Sequence, residues 1–357
     1  MRFGVYIGRF QPFHIGHERI VSQMLAECEK VIVFVGSSNF ERNVHNNPWG
    51  FYERKNMITQ SFWYHKQKNK LVVQALPDIL YNNTAWASQV QEIVTKTILE
   101  SIPGNTEHST LHGLKEAEVY LYGHDKDSST FYLKLFPEWE LVNIENVQGL
   151  NSTDIRDTYF GTPNRLVSWE DAVPVPVRLW MQQFKERGPD YLTMVKENQF
   201  NKAEANVYSG PFPVQFQATD AIVIQNMHIL LIERGKIPGN GRWALPGGYL
   251  ESDLTHLQNI IKELREETGL KVPERVLVGS IKNKDIFDHP KRSGRGRLTT
   301  VCYYFLLEPN EPTSLPKVVG GSDARKAFWL PVSQIAQNEL KFFEDHYHIL
   351  KSLTGLG

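Results

Sequence analysis

Two histidines near the start of the chain have the spacing for chemistry on phosphate. They belong to the string GRFQPFHIGH at residues 8–17, where His14 and His17 stand three apart and share one side of a helical turn. Two imidazoles directed at a polyphosphate can stabilise charge on a pentavalent phosphorus. Arg9 can form a forked pair with a phosphate, and Gly8 lets the backbone approach a ligand closely. The string therefore predicts a phosphate-binding site.

The elements around this string place it on a strand-to-helix turn. Residues 3–7 form a short apolar run that predicts a buried first strand, and residues 18–26 carry apolar side chains at helical spacing. An open parallel sheet binds its ligand at such a turn, outside the carboxyl ends of its strands. The N-terminus of the following helix offers backbone N–H groups to a phosphate.

The string resembles the HxGH nucleotidyltransferases, which transfer a nucleoside monophosphate from a nucleoside triphosphate and release pyrophosphate. This resemblance implies that ATP binds with its phosphates around His14 and His17. It also implies that Gly8, Arg9 and Phe10 belong to the nucleotide site.

Four more segments combine turn residues with polar side chains next to predicted strands or helices. In the last of these segments, the hydroxyls of Ser152 and Thr153 can cap a helix while Arg156 binds phosphate. Because the turns lie at one edge of one predicted sheet, they favour a shared nucleotide site. The segments are NPWGFYER at 47–54, DILYNNTAW at 78–86, GHDKDSS at 123–129 and NSTDIR at 151–156.

Together these segments resemble the nicotinamide mononucleotide (NMN) adenylyltransferases of the archaeal-type branch. The resemblance implies that Trp86 stacks on the nicotinamide and that Asn82 or Asn83 binds its amide; the spacing leaves both asparagines open. It implies a catalytic role for Arg156 beside the histidines, with Mg²⁺. The further nucleotide-binding residues that it implies are Gly123, Asp125, Ser152 and Thr153. Flavin mononucleotide or phosphopantetheine is the alternative acceptor, and Trp86 with its neighbouring asparagines favours NMN.

A second set of chemically active residues lies in the C-terminal half. WALPGG at 243–248 precedes a predicted helix in which Glu263, Glu266 and Glu267 stand at i, i+3 and i+4, on one face. Like charges at this spacing cost roughly 0.2–0.5 kcal/mol per pair. A divalent cation reverses that cost, and carboxylate oxygens suit Mg²⁺ or Mn²⁺. The three glutamates are therefore the predicted metal ligands.

This segment resembles the Nudix box, G-x5-E-x7-R-E-U-x-E-E-x-G-U, where U is a bulky apolar residue. The resemblance implies that Glu266 is catalytic as well as metal-binding. Two positions depart, because Leu254 replaces the first glutamate and Lys262 replaces the arginine. In the family those two residues form a salt bridge between loop and helix. Either this bridge is absent here, or Asp253 or Glu251 replaces its acidic partner.

Two segments outside the box resemble ADP-ribose pyrophosphatases, namely FDHP at 287–290 and GRGR at 294–297. The resemblance implies that Arg295 and Arg297 contact the substrate; the alternative is a solvated basic loop. It further implies attack of water on the diphosphate, with release of AMP and ribose 5-phosphate. No motif identifies the general base, for which Glu339 and Glu344 are candidates.

The order of predicted elements divides the chain in two. Residues 1–185 alternate strands and helices, which predicts an α/β, doubly wound parallel sheet (Rossmann-like) for the nucleotidyltransferase domain. Residues 186–217 are the predicted linker, and 218–357 have the α+β pattern of a Nudix domain. The predicted strands are 3–7, 31–35, 71–75, 119–122 and 140–144, then 221–224, 229–233, 276–281 and 299–307. The main predicted helices lie at 53–63, 86–99, 165–200 and 261–270.

Bulk composition narrows the classes of function. The 357 residues carry a net charge of −1, which gives no support to nucleic-acid or anionic-membrane binding. Cys28 and Cys302 stand in unrelated contexts, so we expect a reducing compartment. With no signal peptide or membrane-length apolar run, we expect a cytoplasmic protein. The sequence leaves open whether it forms a homo-oligomer.

The two halves together resemble the bifunctional NMN adenylyltransferase/Nudix hydrolases. The partners that this implies are ATP, NMN, NAD and ADP-ribose. The alternative hypothesis, motivated by Leu254 and Lys262, makes the Nudix half a non-catalytic module that senses ADP-ribose or a nucleotide and regulates the adenylyltransferase.

Overall fold

The computed structural model forms two compact units, Met1–Val195 and Lys196–Gly357. It describes residues 1–39, 42, 47–79, 82–102, 116–123, 133, 135–144, 150–161, 168–207, 214–308 and 314–356, with the backbone alone for 201–207. Among these residues, no helix has both the length and the apolar character required to cross a membrane.

The first unit is built on a five-stranded sheet in which all neighbouring strands are parallel, in the order β3-β2-β1-β4-β5. Its strands are β1 (Arg2–Gly8), β2 (Lys30–Val35), β3 (Leu71–Ala75), β4 (Glu118–Gly123) and β5 (Glu140–Asn143). The predicted doubly wound α/β sheet is confirmed, and β3 has the bounds that the apolar run 71–75 indicates.

Both faces of this sheet are covered. On the central strand β1, Phe3 and Val5 join one apolar cluster, whereas Tyr6 joins the other. Because successive side chains of a strand point to opposite faces, this alternation shows apolar packing on each side. The helices of the unit are α1 (Ile15–Glu27), α2 (Phe51–Ser61), α3 (Asn83–Ser101), α4 (Ser152–Tyr159), α5 (Val175–Glu186) and the start of α6 (Pro189–Val207).

The second unit is built on a mixed sheet with the central order β10-β11-β6-β7-β12, to which β8 and β9 add at β7 and β6. β11 and β6 are parallel, and the other pairs are antiparallel. The strands are β6 (Gln215–Gln225), β7 (His228–Arg234), β8 (Trp243–Ala244), β9 (Gly247–Tyr249), β10 (Ile281–Phe287), β11 (Arg297–Leu306) and β12 (Ala324–Pro331). The helices are α7 (His256–Thr268), α8 (Glu274–Gly279) and α9 (His346–Thr354). The predicted α+β class is confirmed.

The strand prediction for 276–281 is wrong, because α8 occupies most of this range. Leu277 and Ser280, three residues apart, are buried, while Val276 and Val278 are 44% and 42% exposed. Burial at a spacing of three is helical, whereas a strand would have buried alternate residues.

The range 186–217, predicted as a linker, contains helix α6 over Pro189–Val207. The two compact units divide within this helix, between Val195 and Lys196.

Candidate functional sites

The turn between β1 and α1 brings His14 and His17 together. His14 is the N-cap of α1, and its backbone N–H donates a hydrogen bond to Nδ1 of His17 at 3.2 Å. The two rings stack with centroids 3.5 Å apart and an interplanar angle of 21°. Since Nδ1 of His17 accepts a hydrogen bond, neutral His17 carries its proton on Nε2. His17 therefore offers an N–H donor from the start of the helix.

Aromatic side chains hold His17 in place. Phe10 meets its ring edge-on with centroids 4.9 Å apart, and Phe13 stacks on it at 5.7 Å. Phe10 is 1% exposed, so in this structure it positions His17 and offers little surface to a ligand. A Cβ on Gly8 would come within 2.8 Å of the Phe10 ring. The missing side chain of Gly8 thus makes room for Phe10.

Arg156 connects helix α4 to the histidine loop. The buried guanidinium donates from Nη1 to the carbonyl of Gln11 at 2.7 Å and from Nη2 to Oγ1 of Thr153 at 3.1 Å. Burial, followed by repulsion from the positive charge of Arg9, lowers the pKa of Arg156 to about 10. Partial desolvation also lowers the pKa of the exposed Arg9, while the carboxylate of Asp78 opposes this shift. These mutually repelling cations make an environment suited to an anion.

The cap of α4 differs from the one that the sequence predicts. Asn151 caps the helix, because its Oδ1 accepts the backbone N–H of Asp154 at 2.8 Å. Ser152 is the first helical residue, and the hydroxyl of Thr153 is engaged with Arg156. The Thr153 hydroxyl is thus engaged elsewhere, and asparagine is among the strongest capping residues.

Arg54 is a site residue to which the sequence analysis gave no role. It is fully buried, and its Nε donates to the carbonyl oxygen of Gly50, the N-cap of α2, at 3.3 Å. Its two terminal nitrogens donate to the carbonyl oxygens of Arg9 at 2.8 Å, Gly36 at 2.6 Å and Ser37 at 3.2 Å. Burial lowers its pKa to about 10. The last three carbonyls follow β1 and β2, so Arg54 ties together the two strand ends beside the histidine turn.

The asparagines before α3 have different surroundings. Asn82 is the N-cap, and its Oδ1 accepts the backbone N–H of Ala85 at 3.0 Å. Asn83 is exposed, and its side-chain amide forms no hydrogen bond to another residue that the structure describes. Trp86 is half-buried and lies against Phe136, with ring centroids 6.3 Å apart. Asn83 therefore has the more available amide next to Trp86.

The last segment of this site is described in part. Gly123 ends β4, where a Cβ would come within 2.7 Å of the Leu133 side chain. Asp125 lies outside the described residues, so its prediction stays untested.

In the second unit, α7 presents the three predicted metal ligands beside the turn of β9. Glu267 is buried, and its Oε2 accepts the backbone N–H of Gly247 at 2.9 Å. Burial raises the pKa of Glu267 to about 8; burial followed by repulsion from Glu266 raises that of Glu263 to about 7. A Cβ on Gly248 would come within 2.6 Å of the Glu263 carboxylate. The PGG turn therefore packs directly on the glutamate face.

The third carboxylate of this face, that of Glu266, has a basic neighbour. Oε1 of the exposed Glu266 lies 3.4 Å from Nζ of Lys262. No three His, Cys, Asp or Glu side chains in the described ranges are arranged as a completed metal site. Burial, with repulsion between neighbouring carboxylates, raises the pKa values of Glu263 and Glu267, and a divalent cation would offset both effects, so these side chains fit such a cation.

Glu251 takes the place of the first glutamate of the Nudix box, where this chain has Leu254. Its carboxylate forms an ion pair with Nζ of Lys262. The loop and the helix are therefore bridged although residues 254 and 262 both depart from the Nudix box. Of the two candidates that the sequence left open, the structure therefore shows Glu251 in this contact.

The two segments that resemble ADP-ribose pyrophosphatases meet at the β10–β11 connection. Arg297 pairs with Asp288 at 3.6 Å. Arg295 pairs with Glu344 at 3.1 Å, and the same carboxylate accepts the hydroxyl of Ser293 at 2.8 Å. Both arginines thus have acidic partners within the protein, and Glu344, one of the two candidate general bases, lies in this cluster.

Comparison with known proteins places both halves in families. The sequence matches the Cytidylyltransferase-like family over residues 5–157 and the NUDIX domain over residues 215–353. A Nicotinamide/nicotinic acid mononucleotide adenylyltransferase of Acinetobacter baylyi is 36% identical over 157 residues, covering 44% of this chain and 74% of that protein. An ADP-ribose pyrophosphatase of Methanocaldococcus jannaschii is 29% identical over 134 residues, covering 38% of this chain and 70% of that protein.

One solved structure is similar over nearly the whole chain. It is a bifunctional NMN adenylyltransferase/ADP ribose pyrophosphatase from Francisella tularensis, with 30% identity, a TM-score of 0.86 and coverage of 98% of each chain. A second structure of that name, complexed with AMP and a Mn ion, has a TM-score of 0.85 with the same identity and coverage. The chain belongs to the family of bifunctional NMN adenylyltransferase/ADP-ribose pyrophosphatases.

Proposed function

We propose that the first unit transfers the adenylyl group of ATP to NMN, giving NAD and pyrophosphate, and that the second hydrolyses ADP-ribose to AMP and ribose 5-phosphate. One observation carries this proposal: a single chain holds two separate sets of side chains suited to phosphate chemistry, the stacked histidines as hydrogen-bond donors and the glutamate face of α7 as cation ligands. The same two activities are in the name of the Francisella protein.

In the adenylyl transfer, an oxygen of the NMN 5′-phosphate attacks the α-phosphorus of ATP in line, and the bond to pyrophosphate breaks. The attacking oxygen is already anionic, so no side chain is needed as a nucleophile or base. His17 donates from Nε2, and His14, Arg9 and Arg156 add positive or hydrogen-bonding groups around the same turn. Positioning and electrostatic stabilisation then provide the rate.

Asn83 and Trp86 are the proposed contacts to the nicotinamide. A carboxamide needs one donor and one acceptor, which one asparagine side chain provides. The indole face attracts a flat cationic ring. Asn83 is the better candidate than Asn82, whose amide oxygen caps α3.

In the hydrolase unit, Glu263, Glu266 and Glu267 are the proposed ligands of Mg²⁺, with Mn²⁺ as an alternative. When bound, the cation would neutralise charge on the diphosphate and assist attack by water. The chain's own residues fix this face: the Gly247 N–H holds Glu267, and Glu251 bridges the loop to Lys262.

A sensing role without turnover is not favoured for this unit. The motivation for it was the loss of the bridge between loop and helix, and the Glu251–Lys262 pair provides such a bridge. The three glutamates are also present on one helix face.

A paired assay of the intact protein tests the proposal. With ATP and NMN in Mg²⁺, we expect NAD and pyrophosphate in equal amounts, and no product when flavin mononucleotide or phosphopantetheine replaces NMN. With ADP-ribose and Mg²⁺ or Mn²⁺, we expect AMP and ribose 5-phosphate. Binding of ADP-ribose without release of AMP would support the sensing role, and transfer to another acceptor would contradict the choice of NMN.

A further inference from the structure

Arg234 is a basic residue beside the second site that belongs to none of the motifs above. It is the last residue of β7, where the chain turns toward β8. Its backbone is fixed by two hydrogen bonds of 2.8 Å, to the carbonyl of Arg242 and from the N–H of Gly241. Its Nε donates to the carbonyl of Pro238 at 2.9 Å. The guanidinium is thus oriented by the turn and retains its two terminal nitrogens as donors.

Arg234 and Arg295 converge on one aromatic ring from distant parts of the chain. The guanidinium carbon of Arg234 lies 4.2 Å from the ring centroid of Phe343, and that of Arg295 lies 5.7 Å from the same centroid. Phe343 is buried. Two like charges are therefore brought to one small region, which is unfavourable unless negative charge accompanies them.

The acidic side chains nearby neutralise Arg295 more than they neutralise Arg234. Arg295 has a carboxylate partner, Glu344, at 3.1 Å. Arg234 forms no ion pair with any residue that the structure describes. Burial lowers the pKa of Arg234, and so does the charge of Arg295; Glu344, Glu267 and Asp323 act in the opposite direction. Asp323 itself is paired with Lys236.

Glu267 connects Arg234 with the glutamate face. Backbone hydrogen bonds link the end of β7 to the end of α7, because the N–H of Gly235 donates to the carbonyl of Asp323 at 2.8 Å and the N–H of Gly321 donates to the carbonyl of Glu267 at 3.1 Å. The Glu267 carboxylate also raises the pKa of Arg234, and the charge of Arg234 lowers that of Glu267. An anion that contacts Arg234 and Arg295 therefore lies close to the proposed cation ligands. A guanidinium presents two parallel N–H groups that match the oxygens of a phosphate.

We propose that Arg234 is a further substrate-binding residue, which together with Arg295 binds the diphosphate of a nucleoside diphosphate ester next to Glu267. This inference rests on the proposed hydrolase function and adds to it the group that holds the substrate's negative charge. Arg295 is partly neutralised by Glu344, so Arg234 carries the larger share of the attraction.

Steady-state kinetics of the full chain test this role. Arg234→Gln should lower kcat/KM for ADP-ribose by about tenfold to a hundredfold, chiefly through KM, since a hydrogen bond to a charged group is lost. Arg234→Lys keeps the charge without the fork and should recover part of the loss. Arg325→Gln is the matched control, because Arg325 lies on neighbouring β12, is 56% exposed and pairs with Glu233. Adenylyl transfer should be unchanged in all three variants.

A second measurement does not depend on turnover. Wild-type protein in EDTA is labelled with phenylglyoxal, an arginine reagent, and the modified residues are quantified by mass spectrometry. ADP-ribose, ADP or pyrophosphate should protect Arg234 and Arg295, whereas adenosine should not, and Arg325 should be labelled equally in every sample.

The outcomes separate the two proposals. Wild-type hydrolysis with an unchanged KM in Arg234→Gln overturns the role of Arg234 and leaves the proposed function standing. If wild type does not hydrolyse ADP-ribose, the proposed function fails, and labelling decides the inference. Protection by the diphosphates then supports the anion site, and equal labelling with and without them overturns it.

Discussion

At the scale of single residues, the histidine site depends on fixed orientation. The backbone N–H of His14 and the rings of Phe10 and Phe13 together determine both the tautomer and the plane of His17. A donor whose orientation is set before the reaction needs no reorganisation as charge develops. The conformation of Phe10, with a positive φ of 51°, shows that the loop accepts backbone strain to hold this arrangement.

The two adjacent asparagines should respond differently to mutation. Asn83→Ala should raise KM for NMN about tenfold with little change in stability, because it removes one polar contact to the amide. Asn82→Ala removes the cap of α3 and should lower the free energy of unfolding by about 0.5–2 kcal/mol, with a smaller effect on KM. Steady-state kinetics and denaturant titration of both variants measure this. A larger KM effect in Asn82→Ala would reverse the assignment.

The glutamates of α7 predict a pH-dependent stability. Folding raises the pKa of Glu263 to about 7 and of Glu267 to about 8, above the value of about 4.3 expected in the unfolded chain. Between these values the folded state holds more protons, so its stability is full below about pH 4.3 and is lost as pH rises through 7 to 8. Without divalent cations, the Tm of the second unit should fall from pH 5 to pH 8.

Calorimetry with EDTA or with Mg²⁺ measures this effect. Because a cation binds the deprotonated carboxylates, Mg²⁺ should raise Tm more at pH 8 than at pH 6. Glu267→Gln should flatten the pH dependence. A Tm that rises from pH 5 to pH 8 in EDTA would contradict the assigned shifts.

At the scale of elements, α7 is defined at both ends by residues that its function does not use. Thr255 caps the N-terminus in a reciprocal arrangement with Gln258, and Gly269 ends the helix in a left-handed conformation with a φ of 61°. The Glu251–Lys262 pair then ties the first turns of the helix to the preceding loop. Substitutions at the helix ends should therefore change stability, whereas substitutions in the Glu251–Lys262 pair should change the geometry of the site.

The loop–helix pair should affect activity more than stability. Glu251→Gln should lower ADP-ribose hydrolysis several-fold, while the free energy of unfolding changes by less than about 1 kcal/mol, since the pair is exposed. Lys262→Gln should add little to Glu251→Gln if both act through one contact. Glu274→Gln is the matched control, because it breaks an ion pair with Arg265, which lies on α7 as Lys262 does. Additive losses in the double variant would show that the residues act independently.

Gly247, the first residue of β9, should not tolerate a side chain. A Cβ on Gly247 would lie 2.2 Å from the carbonyl oxygen of Thr219 and 2.6 Å from Oδ1 of Asp220. Gly247→Ala should therefore destabilise the second unit by about 1–3 kcal/mol or more. Gly279→Ala serves as the control, because a Cβ there meets nothing within 4 Å. Chemical denaturation of both variants tests this, and equal stabilities would contradict the packing described for the turn.

The elements also show what sequence alone could predict. The central strands of the first unit were predictable because they are apolar runs buried on both faces, as at residues 31–35 in β2. β10 had no such signal, since most of its residues are exposed and its pairing with β11 defines it. The run at 276–281 was misassigned because a short apolar segment fits a helix or a strand equally well.

The candidate sites follow the same division. Motif residues such as His17 and Glu267 were proposed as site residues from the sequence because their chemistry and local spacing coincide. Arg54 and Arg234 were not, because their roles arise where distant segments converge. The contact of Lys262 with Glu251, eleven residues away, likewise required the path of the loop.

At the scale of the whole molecule, the two units, each with its own sheet, have proposed reactions that involve one class of compound, the diphosphates of nucleosides. One proposed reaction forms the diphosphate linkage of a dinucleotide, and the other cleaves the diphosphate of ADP-ribose. Each set of proposed reacting groups is contained within its own unit, the histidine turn in the first and the glutamate face in the second. Loss of one activity should therefore leave the other intact.

The central claim is tested most directly by measuring both activities of the intact protein in two variants, His17→Ala and Glu266→Gln. We expect His17→Ala to lower adenylyl transfer by about a hundredfold to a thousandfold, with ADP-ribose hydrolysis unchanged. Glu266→Gln should show the reverse pattern. Wild-type adenylyl transfer in His17→Ala, or wild-type hydrolysis in Glu266→Gln, would contradict the assignment of the two sites.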